Sequence, residues 1–324
     1  MSEREDLQAR TEEHRRELTA HCYRMLGSAF EAEDAVQETM VRAWRSLDGF
    51  QGRSSLRSWL YRIATNVCLD ALRGRSRRAT PVDLGPAGSA DTLLAPPDPA
   101  HEWVLPVPDA WLPVADDPAQ LAESRESIRL AFIAALQHLP PRQRAVLLLR
   151  EVLRWKAEEV AELLDTSVAS VNSALQRGRA TLGDSDAALS AAGWDTTPSP
   201  DDQALLDRYV DAFERYDIRE LVSVIHHDAT FTMPPFDMWL RGTRDIAAWY
   251  TGQGAACEGS RLLPTSANGT AAFGAYKRAA DGGHEPFAIQ VIETRDGAIT
   301  GLHHFLDPRL FPLFGLPARL DPTP

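Results

Sequence analysis

Residues 139–182 read LPPRQRAVLLLREVLRWKAEEVAELLDTSVASVNSALQRGRATL, and this stretch decides the fold of the region around it. It ends a helical block that begins near Leu121 and is interrupted at Leu139-Pro140-Pro141. The pattern predicts, in order, a helix at Ala157–Leu164, a turn at Asp165-Thr166, an N-cap at Ser167 and a helix from Val168 to about Leu182. These are the proportions of a helix-turn-helix, whose second helix enters the DNA major groove.

The second of these helices has an apolar face at Val168, Val171 and Leu175. Its other faces carry side chains that can pair with base edges, namely Ser170, Asn172, Ser173, Gln176 and Arg177. Four further arginines could hold phosphates: Arg179, Arg142, Arg144 and Arg154. An amphipathic helix in a bundle, with a solvated polar face, would show the same periodicity.

The N-terminal segment predicts an all-helical domain, because no proline occurs from Glu12 to Arg73 and apolar residues recur at helical spacing. They are Val36, Met40, Trp44 and Leu47 in one run and Leu56, Leu60, Ile63, Val67 and Ala71 in the next. Residues 49–52 (GFQG) separate the runs, and Ser54 or Ser55 can cap the second helix.

Each run also has a polar face. The second carries Arg62, Asn66, Asp70 and Arg73 opposite its apolar stripe, with Trp59 at the border. A basic face beside an aromatic ring suits a single nucleic-acid strand, because cations follow the phosphates and rings stack on bases. The first run carries a mixed face of Asp34, Gln37, Glu38, Arg42 and Arg45. Either face could equally be a surface of solvated charges.

The net charge of −12 hides strong asymmetry along the 324 residues. Residues 1–80 sum to +2 and 127–182 to +3, whereas 81–126 sum to −8, 183–199 to −3 and 200–324 to −6. Within the first segment, Arg53–Arg78 holds seven arginines and one aspartate, which indicates an anion-binding stripe. Two weakly basic modules are therefore separated by an acidic linker and followed by an acidic domain.

The length predicts two or three compact units. No apolar run approaches the roughly 20 residues that a bilayer needs, so we expect no membrane partner. The charged N-terminal sequence lacks the apolar segment of a secretion signal, and three distant cysteines indicate free thiols in the cytoplasm. Residues 74–118 are rich in Pro, Gly, Ala and Asp and predict an extended linker, of which Trp103 and Trp111 should hold part against another surface.

After a boundary at Gly193–Pro200, the chain predicts an α+β domain. Helices are expected at Asp202–Tyr216, about Ile218–Ile225 and near Asp245–Tyr250. Strands are expected at Ala271–Tyr276, Phe287–Glu293 and Ala298–Phe305, with a hairpin turn at Arg295-Asp296-Gly297.

This domain holds candidate acid and base groups at His226, His227, Asp228, Asp237, His284, His303 and His304. Against catalysis, His226-His227 would end a helix, where His favours the dipole, and neighbouring strand residues 303 and 304 cannot both face inward. No zinc-ligand spacing, phosphate loop or nucleophile elbow occurs, so we expect no metal, no cofactor and no enzyme activity.

Three blocks resemble, in order and spacing, regions two and four of extracytoplasmic-function (ECF) sigma factors of the sigma-70 family. They are DAVQETMVRAW at Asp34–Trp44, SSLRSWLYRIATNVCLDALR at Ser54–Arg73, and the Leu139–Leu182 stretch. The resemblance implies that the Asp34–Arg45 helix docks on the β′ clamp of core RNA polymerase and that region four meets the β flap. It also implies that Phe50–Arg73 melts and reads the minus-ten element, with Phe50–Ser55, including Arg53, receiving a flipped base. The second helix of the helix-turn-helix would read the minus-thirty-five element.

The sequence departs from that family at Asp165, where a turn glycine is usual, and at Asn172 and Ala174, where basic residues are frequent. Asp can tolerate the positive φ of such a turn. The promoter sequence therefore cannot be transferred from the family.

Residues 201–314 resemble the SnoaL-like cone fold that is fused to some sigma factors of this type, on phrases such as LVSVIHHDATFTMPP and FLDPRLFPLFGLP. The whole chain is then two all-α sigma modules joined by an extended linker, followed by an α+β cone. The expected division is region two at 1–78, acidic linker at 79–120, region four at 121–188 and cone at 200–324.

Three functions remain open at this point. The first is an initiation factor that is restrained or tuned by its own cone through an intramolecular contact, with Trp103 or Trp111 at the junction. The second is a ligand-responsive repressor or activator, which leaves DAVQETMVRAW without a role. The third is an enzyme whose helical modules are incidental, which predicts turnover by residues 200–324 alone.

Overall fold

The structure is a computed structural model that describes residues 9–47, 50, 55–91, 93–113, 127–190 and 200–322. The chain forms two compact units. The first contains residues 1–78 and 111–192, and the second contains residues 79–110 and 193–324. In the part of the chain that the structure describes, no helix is long and apolar enough to cross a membrane.

The N-terminal part of the first unit contains the helices α1 (Arg15–Leu26), α2 (Ala29–Arg45) and α3 (Leu56–Ala71). Ser28 caps α2, and Ser55 caps α3 by accepting a hydrogen bond from the Ser58 backbone N–H at 3.0 Å. Their core includes Val36, Leu56, Leu60 and Val67, as the apolar spacing predicts. Trp44 departs from that pattern and is 51% exposed.

Four more helices follow in the described residues of this unit: α4 (Leu130–Gln137), α5 (Pro141–Leu147), α6 (Ala157–Leu163) and α7 (Val168–Ser190). A π-helical turn at Leu148–Val152 follows α5. The predicted turn between α6 and α7 is present, since Asp165 has φ 49° and Ser167 accepts a hydrogen bond from the Ser170 N–H at 3.2 Å. Val171 and Leu175 are buried. The helix-turn-helix is therefore confirmed.

The second unit is built on a six-stranded sheet in the order β2-β1-β6-β5-β4-β3. The strands are β1 (Ile225–Thr232), β2 (Trp239–Arg241), β3 (Arg261–Ala267), β4 (Thr270–Arg278), β5 (His284–Arg295) and β6 (Ala298–Phe305). Only the β1–β6 pair is parallel among the pairs of this sheet. The predicted hairpin turn joins β5 to β6, with Asp296 and Gly297 at φ 50° and 71°.

Three helices, α8 (Pro200–Glu214), α9 (Ile218–Ser223) and α10 (Thr243–Thr251), pack on one face of this sheet and share one apolar core with it. A short helix, α11 (Leu310–Leu313), lies on the other face, where the Phe311 and Tyr276 rings are 5.0 Å apart. This is the α+β domain that the sequence predicts.

The sequence prediction is wrong at the start of this sheet. His226-His227 does not end a helix but lies within β1. Strands β2 and β3 were also not expected. In β1 the apolar residues Ile225, Ala229 and Phe231 face the core, while three consecutive polar residues obscure the alternation on which a strand prediction depends.

Residues 79–110 belong to the cone unit and are held to it by several contacts. Val107 exchanges hydrogen bonds with Asn268 of the cone at 3.0 and 3.1 Å. Within the segment, Ala79 pairs with Trp103, which is 7% exposed. Ala90 and Leu94 pack against the apolar core. Part of the linker is therefore docked on the cone through Val107, Ala90 and Leu94, and Trp103 is buried within this segment.

Candidate polymerase and promoter surfaces

The mixed polar face of α2 is presented to solvent. Asp34, Gln37, Glu38 and Arg45 are exposed. Arg42 donates a hydrogen bond from Nε to Oε1 of Glu38 at 2.6 Å, and its Nη1 lies 3.6 Å from Oδ2 of Asp70 on α3. The α2 face is thus continuous with the polar face of α3, and both can be covered by one partner or by two adjacent ones.

On α3 the predicted nucleic-acid residues share one side of the helix. Trp59 packs on Phe50 with ring centroids 5.0 Å apart, and Asn66 is exposed. Arg73 is paired with Asp70 at 3.0 Å. Arg53 lies outside the residues that the structure describes.

The arginine stripe of region two is largely neutralised by carboxylates. Arg57 lies 2.7 Å from Glu17, and both Arg75 and Arg78 contact Glu31. Arg57 and Arg75 are partly exposed, so their pairs each contribute about 0–1 kcal/mol to stability. The stripe predicted from composition therefore presents less positive field than its arginine count indicates, because the acids that balance it come from earlier in the chain.

Arg62 is paired with a residue of region four. Its Nη2 donates a hydrogen bond to Oε1 of Glu162 on α6 at 2.9 Å. The two residues are 100 positions apart, and Glu162 gives no sequence signal that distinguishes it from any other helical glutamate. Sequence reasoning therefore missed Glu162.

The polar face of α7 is open to solvent. The exposed residues include every one proposed for base or phosphate contact on this helix, namely Ser170, Asn172, Ser173, Gln176, Arg177 and Arg179. Arg179 contacts Glu151 at 2.7 Å. Arg142 and Arg154 are also exposed. Apart from Arg179, which is paired with Glu151, these side chains present donors and acceptors for a DNA groove without prior rearrangement.

The expectation that Arg144 holds a phosphate is wrong. It is 2% exposed and cannot hold a phosphate in this arrangement. Its two Nη groups donate hydrogen bonds to the side chain and carbonyl of Gln137, to the Leu139 carbonyl at 3.1 Å and to the Met25 carbonyl of α1. A guanidinium carries five donors, which makes it suited to bridging carbonyls at a helix end.

Regions two and four are packed together inside the first unit. The Tyr61 and Trp155 rings meet edge to face at 5.5 Å. Arg24 of α1 donates hydrogen bonds to the carbonyl of Ser127 at 3.0 Å and to its hydroxyl at 2.7 Å. Burial lowers the pKa of Arg24 to about 10, and that of Arg144 to about 10 as well.

The candidate acid and base groups of the cone do not converge. His304 faces the core against Phe231, and burial lowers its pKa to about 3. His303 lies on the opposite face, with Nδ1 2.9 Å from the Thr232 hydroxyl, as strand alternation requires. The others are dispersed: His226, His227 and Asp228 lie on β1, Asp237 contacts His101 of the linker, and His284 contacts the Gly259 carbonyl. Among the residues described, no group of three or more His, Cys, Asp or Glu could hold a metal ion.

Family models match the chain in three places: sigma-70 region 2 at residues 11–78, sigma-70 region 4 at 129–182 and a SnoaL-like domain at 206–302. The ECF RNA polymerase sigma factor SigG of Mycobacterium tuberculosis is 47% identical over 98% of this chain and 85% of its own length. The chain belongs to the ECF sigma factors. It therefore acts in promoter-directed initiation of transcription, with core RNA polymerase and promoter DNA as the partners of its class.

Two more relatives extend the comparison. SigW of Bacillus subtilis, another ECF sigma factor, is 31% identical over 50% of this chain and 78% of its own length. The crystal structure of the ECF sigma factor SigJ of M. tuberculosis superposes with a TM-score of 0.59 at 23% identity, over 96% of this chain and 99% of that one. The arrangement of two helical sigma regions and an α+β cone in this sigma factor is thus confirmed.

Proposed function

We propose that this sigma factor uses three surfaces during initiation. The α2 face docks on the β′ clamp, the α3 face with Phe50 reads the minus-ten element, and the α7 face reads the minus-thirty-five element while region four meets the β flap. The observation that carries this proposal is the solvent exposure of the proposed contact residues on α2 and α7, all exposed except the half-buried Arg42, on helices whose opposite faces are buried. Such side chains can reach a partner without disturbing the fold.

The described arrangement is a resting form of the factor. Arg62 of the minus-ten face contacts Glu162, only six residues before α7, so that Glu162 and the start of α7 are at most about 20 Å apart. The two promoter elements are separated by roughly 25 base pairs, which is about 85 Å of duplex. One molecule cannot read both while these regions are packed together, so polymerase binding must separate them.

The cone tunes this separation by holding the linker. Because Ala79 pairs with Trp103, the residues between them form a closed loop that adds no reach. The tether from Arg78 to Leu130 could extend to about 180 Å if released, but only to about 95 Å with the loop closed. A nearly taut tether has few conformations, so the docked linker opposes separation of the two regions.

The cone has a regulatory rather than a catalytic role in this proposal. Its candidate acids and bases lie on different faces and strands, whereas general acid-base catalysis needs them around one reacting group. From its proposed action on RNA polymerase and promoter DNA, we infer that the factor works in the cytoplasm.

Transcription in vitro with purified core polymerase tests the proposal. The full chain and a chain truncated after about Thr197 are compared on one cognate promoter, beside Trp103→Ala in the full chain. We expect truncation and Trp103→Ala to change promoter-specific transcription in the same direction, because both release the linker. Trp111→Ala is the comparison variant, because Trp111 belongs to the helical unit and not to the linker residues 79–110 of the cone unit.

Identical transcription from the full and truncated chains across salt concentrations would remove the cone from regulation. The full chain could instead support no transcription with core polymerase while a relative does so in parallel. That result would contradict the proposed polymerase and DNA surfaces.

A further inference from the structure

The contact between regions two and four buries two positive charges. Arg24 is 6% exposed and Arg144 is 2% exposed. Their hydrogen-bond acceptors are carbonyls, the Ser127 hydroxyl and the Gln137 amide oxygen, and within the described residues no carboxylate pairs with either guanidinium. Nε of Arg144 is buried with no acceptor.

A buried ion without a counter-ion opposes the packing around it. Its desolvation costs several kcal/mol, and neutral acceptors offset only part of that cost. The same guanidinium is hydrated when the regions separate. The Tyr61–Trp155 contact and the hydrogen bonds of the two arginines favour the packed form, while the two desolvated charges favour the separated form.

We propose that Arg24 and Arg144 form a charge-based release device, in which their desolvation keeps the packed form of regions two and four only marginally stable so that polymerase can open it. This inference rests on the proposed resting form. It assigns a function in opening to two residues that lie on none of the proposed polymerase and DNA surfaces.

Arg24 is the better residue to test, because its acceptors lie on Ser127, before α4, whereas Arg144 also bonds carbonyls of its own region. Arg24→Met keeps most of the side-chain length and removes the charge. Such replacements of buried ions are often neutral or stabilising. Arg24→Lys keeps the charge but loses the two-donor fork.

The experiment measures amide hydrogen exchange of residues 127–137 and of α1 in the free full-length protein, together with its affinity for core polymerase. We expect Arg24→Met to slow exchange about tenfold and to weaken core binding to a similar extent, since tenfold corresponds to about 1.4 kcal/mol. Arg24→Lys should exchange at least as fast as the native chain. Arg15→Met removes an exposed arginine from the same helix and should change neither measurement.

Faster exchange or tighter core binding in Arg24→Met would overturn the device, because Arg24 would then be a net stabilising anchor. Loss of helical circular dichroism in Arg24→Met would overturn it for the same reason. Exchange is measured without polymerase, so it reports on the device even if the native chain fails to bind core polymerase and the proposed function is abandoned.

Discussion

Regions two and four present their proposed DNA-reading residues in different states. On α7 of region four, Asn172, Gln176 and Arg177 are exposed side chains on a helix whose other face is buried. On α3 of region two, Arg62 is engaged by Glu162, and Asp70 is engaged by Arg42 and Arg73. Under the proposed assignment, region four meets DNA with these three side chains as they stand, whereas Arg62 of region two must first leave Glu162.

The difference has a physical basis in what each region reads. A recognition helix enters an intact groove, so rigid, exposed side chains are sufficient. A flipped base in a melted strand is reached only after the duplex is opened, at a cost of a few kcal/mol. A surface whose Arg62 is paired with Glu162 until polymerase separates the regions would compete less well for unrelated single strands.

The largest expected effect tests whether α2 contacts core RNA polymerase. Charge reversal at Asp34 or Glu38 should weaken core polymerase binding at least 100-fold, about 3 kcal/mol, because a favourable pair becomes a repulsive one. Fluorescence anisotropy of labelled factor measures this affinity. Asp207→Arg, on an exposed carboxylate of the cone, should have little effect, and equal affinities for all variants would remove α2 from the polymerase surface.

A second effect tests whether the exposed side chains of α7 in region four read base pairs directly. Asn172→Ala or Gln176→Ala should cost about 1–3 kcal/mol at particular upstream base pairs, because a bidentate amide contact is lost. Arg179→Ala should instead weaken binding to all sequences alike and reduce its salt dependence. Binding to a set of single-base-pair variants of the minus-thirty-five duplex gives both quantities. A base-independent loss for all three variants contradicts direct readout by α7.

The sequence predicts region four better than region two for a related reason. The helix-turn-helix is signalled locally by the Ser167 cap, by Asp165 at positive φ and by the spacing of Val171 and Leu175. Contacts that join the regions leave no local signal: the position of Arg144 in an exposed-looking PPRQR sequence predicts a phosphate contact, yet its acceptors include the carbonyl of Met25, 119 residues away.

In the cone, too, local sequence patterns predict some elements and miss those that depend on distant partners. Its β5–β6 hairpin is predicted by the Asp296-Gly297 turn, whereas β1 was not expected, because its place between β2 and β6 depends on pairing with β6, some 70 residues later. Local patterns thus predicted elements and caps, and missed the partners that only tertiary folding supplies.

A third effect concerns region two and the fall in the free energy of unfolding at acid pH. His21 of region two is fully buried against the Thr65 hydroxyl at 3.0 Å, and burial, with the charges of Arg24 and Arg57, lowers its pKa to about 3. Below pH 6.5 the unfolded chain takes up a proton that the folded chain refuses, so the free energy of unfolding falls as pH falls. The loss from this residue is about 1.5 kcal/mol between pH 6.5 and pH 5.

Urea unfolding at the two pH values measures this loss. His21→Gln, which keeps a neutral hydrogen-bonding group, should abolish that part of the pH dependence. His138→Gln, at the single histidine of region four, is measured beside it as the histidine control. The same slope in the His21→Gln and native chains would show that His21 takes up a proton in the folded state.

The smallest expected effect bears directly on the engagement of region two. Glu162→Gln keeps the shape of the side chain and removes the charge that pairs with Arg62. The pair is exposed on both sides, so its loss is worth about 0.5 kcal/mol, or roughly twofold in affinity. We expect Glu162→Gln to bind a single-stranded minus-ten oligonucleotide about twice as tightly as the native chain at low salt, because Arg62 no longer has a competing carboxylate. The gain should disappear at high salt, where screening has already weakened the pair.

Glu158→Gln removes an exposed charge from the same helix and measures the general effect of lower negative charge. If the two variants bind equally while Arg62→Ala still weakens binding, Glu162 does not compete with DNA for Arg62, and the contrast between the regions must then rest on the apolar Tyr61–Trp155 contact and the buried arginines alone.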